Sequence, residues 1–189
     1  DGFLEWKPLG CRYEVFSQHD VELRLAKADI TDILFIGESF LRFQLNLRYG
    51  FSLSCNETTS TANICLHHHP IRSFDALAKH LITFEAELKA RGRKRLVLVL
   101  DVPVGVFESL SALQIGVRAF DDAISDAQTA GTLATDWVFV FDSGPALHEW
   151  ETDFDTLPMR ATINTEALQV LGTDRWHELD SMGPTLGRP

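Results

Sequence analysis

Asp32-Ile-Leu-Phe-Ile-Gly37 is the stretch of sequence that decides the fold. This continuous apolar run ends in glycine, which is typical of a strand that is covered on both faces in a parallel sheet. Arg95–Val102 and Asp136–Asp142 are two further runs of the same kind. The sequence therefore predicts three buried strands.

Segments with a helical period lie between and after these strands. Ser73–Gly92 and Phe107–Ala130 carry apolar residues at spacings of three and four, with Ser73 as a predicted N-cap and Gly92 and Gly131 as stops. We predict two more helices, over Glu38–Tyr49 and Met159–Leu171. The alternation of strands and helices implies right-handed crossovers and an α/β fold, with functional sites at the carboxyl ends of parallel strands.

Composition and charge limit the function classes. The 189 residues, 45% hydrophobic and 23% charged, are typical of one globular domain over residues 1–189. The formal net charge of -10 opposes a groove that tracks phosphates, so we expect no nucleic acid as partner. The longest apolar run lies within Leu96–Val106, a stretch that Asp101 interrupts, and is far shorter than the roughly 20 residues of a membrane span. We expect an excerpt of a longer chain, with any signal peptide or membrane anchor outside it.

The cysteines and one acceptor motif bear on the cellular compartment. Cys11, Cys55 and Cys65 allow one disulfide, and Asn56 opens an Asn-x-Thr motif for N-glycosylation. Together they favour a secretory compartment, although such short motifs also arise by chance. We predict that Cys11 is bonded to Cys55 or Cys65.

No metal site is expected from the sequence. The chain contains no Cys-x-x-Cys, and no cysteine lies at the spacing from a paired histidine that zinc-binding motifs show. The tract His67-His-His69-Pro70 is predicted as a polar loop, because neighbouring residues on an extended chain cannot all face one ion.

Two segments carry the residues that could perform nucleophilic catalysis. Ser39 follows the first strand on the predicted turn into a helix, where backbone N–H groups would stabilise an oxyanion. Asp174-x-x-His177 follows the last helix, and on one loop the carboxylate could orient the imidazole that takes the serine proton. The alternatives are a helix N-cap for Ser39 and a solvated polar loop for the pair.

These segments resemble one enzyme family. Trp6-Lys-Pro-Leu-Gly-Cys11, Gly37-Glu-Ser-Phe-Leu-Arg-Phe-Gln44 and Asp174-x-x-His177 resemble the motifs of the PC-esterase and trichome-birefringence-like group of the SGNH/GDSL hydrolase superfamily. The resemblance implies a three-layer α/β/α, flavodoxin-like fold. It also implies a catalytic triad of Ser39, Asp174 and His177, with no cofactor.

A further block resembles the Asn-x-Gly-x-His-Trp segment of these relatives, and it completes the expected oxyanion and substrate-binding set. Asp142 stands in this chain where the relatives have Asn, and a carboxylate there would repel an oxyanion. Arg42 could hold an acidic group of the substrate, or it could pair with Glu38 in a structural role. Trp150 and Trp176 could stack on a sugar or pack in the core. The full set is Ser39, Arg42, Asp142, Gly144, His148, Trp150 and Trp176.

The resemblance implies an O-acetyl esterase or acetyltransferase that acts on a carbohydrate or acylated glycan in the Golgi lumen or outside the cell. The second hypothesis is a catalytically inactive SGNH-like domain that serves as a structural or carbohydrate-binding module in a larger assembly. Asp142, and Glu38 where the relatives have Asp, both depart from the family pattern and favour the second hypothesis.

Overall fold

The structure, a computed structural model, describes residues 18–37, 64–70, 73–93, 95–102, 109–143, 156–172 and 174–179. Helices and strands alternate along this part of the chain. The elements in chain order are α1 (Gln18–Lys27), β1 (Ile30–Gly37), β2 (Cys65–Pro70), α2 (Phe74–Ala90), β3 (Arg95–Leu100), α3 (Leu110–Thr129), β4 (Val138–Asp142), α4 (Thr156–Val170) and β5 (Trp176–Leu179).

The five strands form one all-parallel sheet in the order β2-β1-β3-β4-β5. This is the flavodoxin-like order of doubly wound α/β folds. From β1 the chain moves to one side to form β2, then crosses back over β1 to β3 and continues in one direction to β5. The predicted flavodoxin-like α/β fold is confirmed.

The direction of each crossover decides which face its helix covers. The crossovers through α2, α3 and α4 all run in one direction, so right-handed connections place these helices on one face of the sheet. The larger core lies on this face and includes Leu81 of α2, Phe120 of α3 and Ala167 of α4. A smaller cluster on the opposite face packs Leu25 of α1 against β1 and β3, so the sheet is the middle of three layers.

Local signals set the ends of two helices. Helix α3 begins after Ser109, whose Oγ accepts a hydrogen bond from the backbone N–H of Ala112 at 3.1 Å. Ser73 occupies the N-cap position of α2 as predicted, but its side chain makes no capping hydrogen bond. Gly92 and Gly131 follow the two helices with φ of 72° and 71°, a conformation that residues with a Cβ rarely adopt. No helix in the described part of the chain is long and apolar enough to cross a bilayer.

The prediction of a loop at His67–His69 is wrong, because these residues form the middle of β2. Among the described strands, β2 is at the edge of the sheet and has one neighbour, β1, so it does not need the continuous apolar sequence of a central strand. Helix α1 and strand β5 were also not predicted from the sequence. The predicted helix over 38–49 lies outside the described residues.

A buried carboxylate joins three segments at the amino-terminal half of β1. Asp32 is fully buried, and its Oδ2 accepts a hydrogen bond from Arg93 Nε at 2.9 Å. Its Oδ1 lies 2.8 Å from His67 Nε2 on β2. Arg93 also donates to the carbonyl of Thr31, where the register between β1 and β3 shifts by one residue. The carboxylate therefore connects β1 to β2 and to the turn that leads into β3.

Two other acidic side chains fix helices to the loops around them. Both carboxylate oxygens of Glu85 on α2 accept the backbone N–H of Ala134, at 3.0 and 2.8 Å, and Lys89 pairs with the same group. Asp121 on α3 accepts hydrogen bonds from Arg175 and from the indole N–H of Trp176, which precede and begin β5.

We predict that Arg93→Met destabilises the protein by about 3 kcal/mol, because removal of one member of a buried ion pair leaves the other charge without compensation. The matched control is Arg91→Met, since Arg91 is exposed and lies two residues earlier. Urea unfolding of both variants measures the difference. Equal loss of stability in the two variants would contradict the assigned role of Asp32.

Candidate functional site

The carboxyl ends of β1 and β3 form the topological switch point of the sheet. The two strands are neighbours, but the chain leaves β1 towards β2 and leaves β3 towards β4, which are opposite directions. In open α/β sheets, ligands bind in the crevice that forms at such a switch point. Ser39 follows the last residue of β1, Gly37, by two positions in the sequence. Ser39 itself lies outside the described residues.

Asp101 approaches the end of β1 closely at this switch point. Its backbone N–H donates to the carbonyl of Ile36 at 2.8 Å. A Cβ on Gly37 would lie 3.1 Å from both the Cβ and the carbonyl oxygen of Asp101, and 3.4 Å from its Oδ2. Glycine at position 37 therefore permits a contact that a side chain would crowd, and the Asp101 carboxylate lies beside the end of β1.

The neighbouring strands at the same edge are tied together by a buried serine. The backbone N–H and the Oγ of Ser143 donate to the carbonyl of Leu179 on β5, at 3.1 and 3.2 Å. Asn164 on α4 donates from Nδ2 to the Ser143 carbonyl at 3.0 Å. These bonds fix the half-buried Asp142, the last residue of β4, at the carboxyl edge.

The sheet order separates Asp142 from the end of β1, because β3 lies between the two strands. Asp101 directly follows β3, and β3 is the strand next to β1. The sequence analysis singled out Asp142 and missed Asp101, since the order of strands in a sheet cannot be read from the apolar runs. The sequence offered one signal for Asp101, because it is a polar residue directly after the apolar residues of β3.

Asp174 and His177 do not share a loop, so that part of the prediction is wrong. Asp174 is an exposed residue in a turn before β5, and His177 is the second residue of β5. His177 pairs with Val140 in the middle of β4, below the carboxyl edge, and its side chain is exposed. At about 4.8 Å per strand, β5 lies roughly 14 Å from β1 across β3 and β4. The register therefore does not bring this pair to the end of β1.

Trp176 is a core residue and not the sugar-stacking residue that the sequence analysis considered. It is 5% exposed, packs against Phe120 and Phe139, and donates its indole N–H to Asp121 at 2.8 Å. Because strand side chains alternate between the two faces, a buried Trp176 leaves His177 on the opposite face.

Many of the other predicted positions fall outside the described residues. These are Cys11, Glu38, Ser39, Arg42, Cys55, Asn56, Gly144, His148 and Trp150. Cys65, at the start of β2, is disulfide-bonded. Because Cys11 and Cys55 both lie outside the described residues, the predicted pairing stays a prediction.

A second feature is a cluster of imidazoles between β2 and α2. A cavity of about 350 Å³ there is lined by histidines of both elements and by Phe84. The rings of His69 and His80 stack with centroids 3.6 Å apart and planes at 14°, and His67 meets Phe84 edge-on at 4.8 Å. His67 and His69 face the same helix because alternate residues of a strand point to one side.

Metal-ligand side chains also meet in this region. Asp32, Cys65 and His67 have ligand atoms that all lie within 4.8 Å of one another. No such group was expected from the sequence, which has no Cys-x-x-Cys and no cysteine at ligand spacing from a paired histidine. Strand β2 brings residues 65 and 67 to one face, and its pairing with β1 adds Asp32.

The chain matches no family model and no curated protein.

We predict that Gly37→Ala destabilises the protein by about 1 to 3 kcal/mol, the range for overpacking at a site without space. Asp101 cannot readily withdraw, because its backbone is bonded to β1. Gly172→Ala is the control, since a Cβ there meets nothing within 4 Å. Denaturant midpoints that shift equally in both variants would contradict the close approach.

We predict that stability decreases as the pH falls below about 6.5. Burial lowers the pKa of His80 from its ordinary value, and the charge of Glu87 only partly offsets this effect. The stacked His69 adds a second imidazole beside it. The unfolded chain therefore binds a proton more readily at this position, so the stabilisation is complete above the unfolded pKa and is lost below it.

The measurement is the free energy of unfolding between about pH 7.5 and about pH 5.5. His80→Gln should flatten the decrease, whereas His177→Gln, which changes an exposed histidine, should leave it in place. An identical pH profile for the wild type and His80→Gln would contradict the prediction.

Proposed function

We propose that this domain is a serine-dependent O-acyl esterase or acetyltransferase whose substrate is an O-acetyl ester of a carbohydrate or glycan. The observation that supports the proposal most is the topological switch point, where Asp101 lies beside Gly37 at the end of β1 and the sequence continues to Ser39. Sites in flavodoxin-like sheets collect at this position. The sequence resemblance to the SGNH group supplies the reaction class.

In the proposed reaction, Ser39 Oγ attacks the acyl carbonyl while a histidine takes its proton. Backbone N–H groups at the start of the following segment would stabilise the oxyanion. The acyl-enzyme then transfers its acetyl group to water or to a sugar hydroxyl. The reaction requires no cofactor beyond the acyl donor.

The proposed base differs from the one that the sequence suggested. His177 lies on β5 with its side chain exposed, and both β3 and β4 separate β5 from β1. Two other histidines are candidates, of which the structure describes His69 and not His148. His69 is the penultimate residue of β2 and pairs with Ile36, and His148 follows the end of β4. We propose that one of these two takes the serine proton.

The Asp101 carboxylate favours a second candidate function as well. Beside a forming oxyanion, a carboxylate opposes the reaction, whereas beside an imidazole it orients the ring and stabilises its protonated form. In the first case the domain is catalytically inactive and serves as a structural or carbohydrate-binding module in a larger assembly. The contact with Gly37 makes Asp101 the residue that distinguishes these two functions.

We further propose that the domain works in the Golgi lumen or outside the cell. Disulfides persist in oxidising compartments, and Cys65 is disulfide-bonded. The acceptor motif at Asn56 supports the same compartment.

Acetyl release from an aryl acetate tests the proposal. We predict that Ser39→Ala abolishes the activity, and that His177→Gln leaves it unchanged because this side chain lies away from the carboxyl edge. Asp101→Asn should lower kcat by roughly 100-fold or more, by analogy with loss of the orienting acid in serine hydrolases. Asp142→Asn, at the end of a strand that does not adjoin β1, should have the smaller effect.

Each outcome discriminates between the two functions. Activity that is absent from the wild type and appears in Asp101→Asn or Asp142→Asn would identify an inactive domain. Activity that survives Ser39→Ala would contradict the proposed nucleophile. Circular dichroism of every variant separates these outcomes from loss of the fold.

A further inference from the structure

Three side chains with metal-binding donors converge away from the switch point, towards the amino-terminal ends of β1 and β2. Cys65 and His67 are alternate residues of β2, so they point to the same face of the sheet. Asp32 is the register partner of Cys65 on β1. The sulfur, an imidazole nitrogen and a carboxylate oxygen all lie within 4.8 Å of one another. The pairing of the two strands therefore builds a compact sulfur, nitrogen and oxygen donor set.

We propose that Asp32, Cys65 and His67 form a redox-dependent zinc site, which binds the ion when Cys65 is in its thiol form. Zn²⁺ is held in proteins by Cys, His and carboxylate ligands, and sites with three protein ligands leave one position open. His67 Nε2 and Asp32 Oδ1 are 2.8 Å apart, and they would need to separate to about 3.3 Å to hold one tetrahedral ion with bonds of about 2.0 Å. This site is independent of the proposed esterase.

The surroundings suit a metal site. Asp32 and Cys65 are 0% and 6% exposed, so they lie in a protected interior. Arg93 donates to the other carboxylate oxygen of Asp32 at 2.9 Å, the kind of support that ligating carboxylates receive from a second layer of residues. His67 also lines the cavity of about 350 Å³ beside α2, which has space for a water molecule at the fourth position.

The disulfide of Cys65 provides the redox dependence, because a disulfide sulfur is not a thiolate ligand. A dithiol reductant supplies two electrons and two protons to the disulfide, which gives two cysteine thiols while the reductant forms its own disulfide. The Cys65 thiol then releases its proton when the ion binds. His67 binds as a neutral imidazole whose single ring proton is on Nδ1 rather than on Nε2, so the Nε2 lone pair coordinates the ion. The Cys65 sulfur therefore either forms the disulfide or binds the ion, and it cannot do both.

Cobalt binding by the intact chain tests this inference. The protein is reduced with a dithiol, separated from the reductant without oxygen and titrated with Co²⁺, which reports thiolate ligation through a charge-transfer band in the near ultraviolet. We expect one Co²⁺ per chain in the reduced protein and displacement by Zn²⁺. The oxidised protein should show no such band.

Matched variants identify the ligands. Cys65→Ser should remove the band, and His67→Gln should weaken binding by at least about tenfold, the lower limit for loss of a residue that supports a metal site. His80→Gln is the control, because His80 lines the same cavity without belonging to the donor set. Its affinity should equal that of the reduced wild type.

Three results would overturn the inference. One is a reduced, folded protein that gives no thiolate band at stoichiometric Co²⁺, and another is a band whose affinity is the same in His67→Gln and His80→Gln. The third result concerns a chain that unfolds when it is reduced. In that case the inference requires that Zn²⁺ restores the far-ultraviolet circular dichroism of the folded protein. Failure of Zn²⁺ to restore it would contradict the site.

Discussion

The ionised carboxylate of Asp32, buried between β1, β2 and the turn before β3, is the interaction on which the rest of the sheet depends. A buried charge is costly unless it is paired and hydrogen-bonded. Burial acts to raise the pKa of Asp32, but hydrogen bonds from His67, Arg93 and Thr31 outweigh it and hold the pKa below its usual value. The charge is therefore retained only when β2 and the turn before β3 both lie against β1.

That constraint places β1 between β2 and β3, and this position creates the switch point. The chain enters β2 on one side and returns to β3 on the other, so the carboxyl ends of β1 and β3 form the point where ligands bind in such folds. Gly37 allows Asp101 to lie against the end of β1 at that point. The buried charge near one end of β1 and the candidate site at the other are thus consequences of one strand order.

The central strands and the crossover helices were predictable from sequence because their signals are local. Apolar runs and helical spacing mark β1, β3, β4, α2 and α3 without any knowledge of neighbours. Strand β2 was not predicted, because a run of histidines has no apolar pattern. Its place in the sheet depends on its pairing with β1, including the contact between His67 and Asp32, and its edge position does not require an apolar sequence. The site was predictable only in part, since Asp101 and His177 depend on strand order and register, which arise from long-range pairing.

The most direct test of the account is covalent labelling of the folded protein with a fluorophosphonate, followed by mass-spectrometric mapping of the modified peptide. Such reagents form an adduct only with an activated serine in an accessible crevice. The account predicts one adduct, on Ser39, next to the contact between Gly37 and Asp101. An adduct on a different serine, or a folded protein that accepts no label, would contradict a serine nucleophile at the switch point.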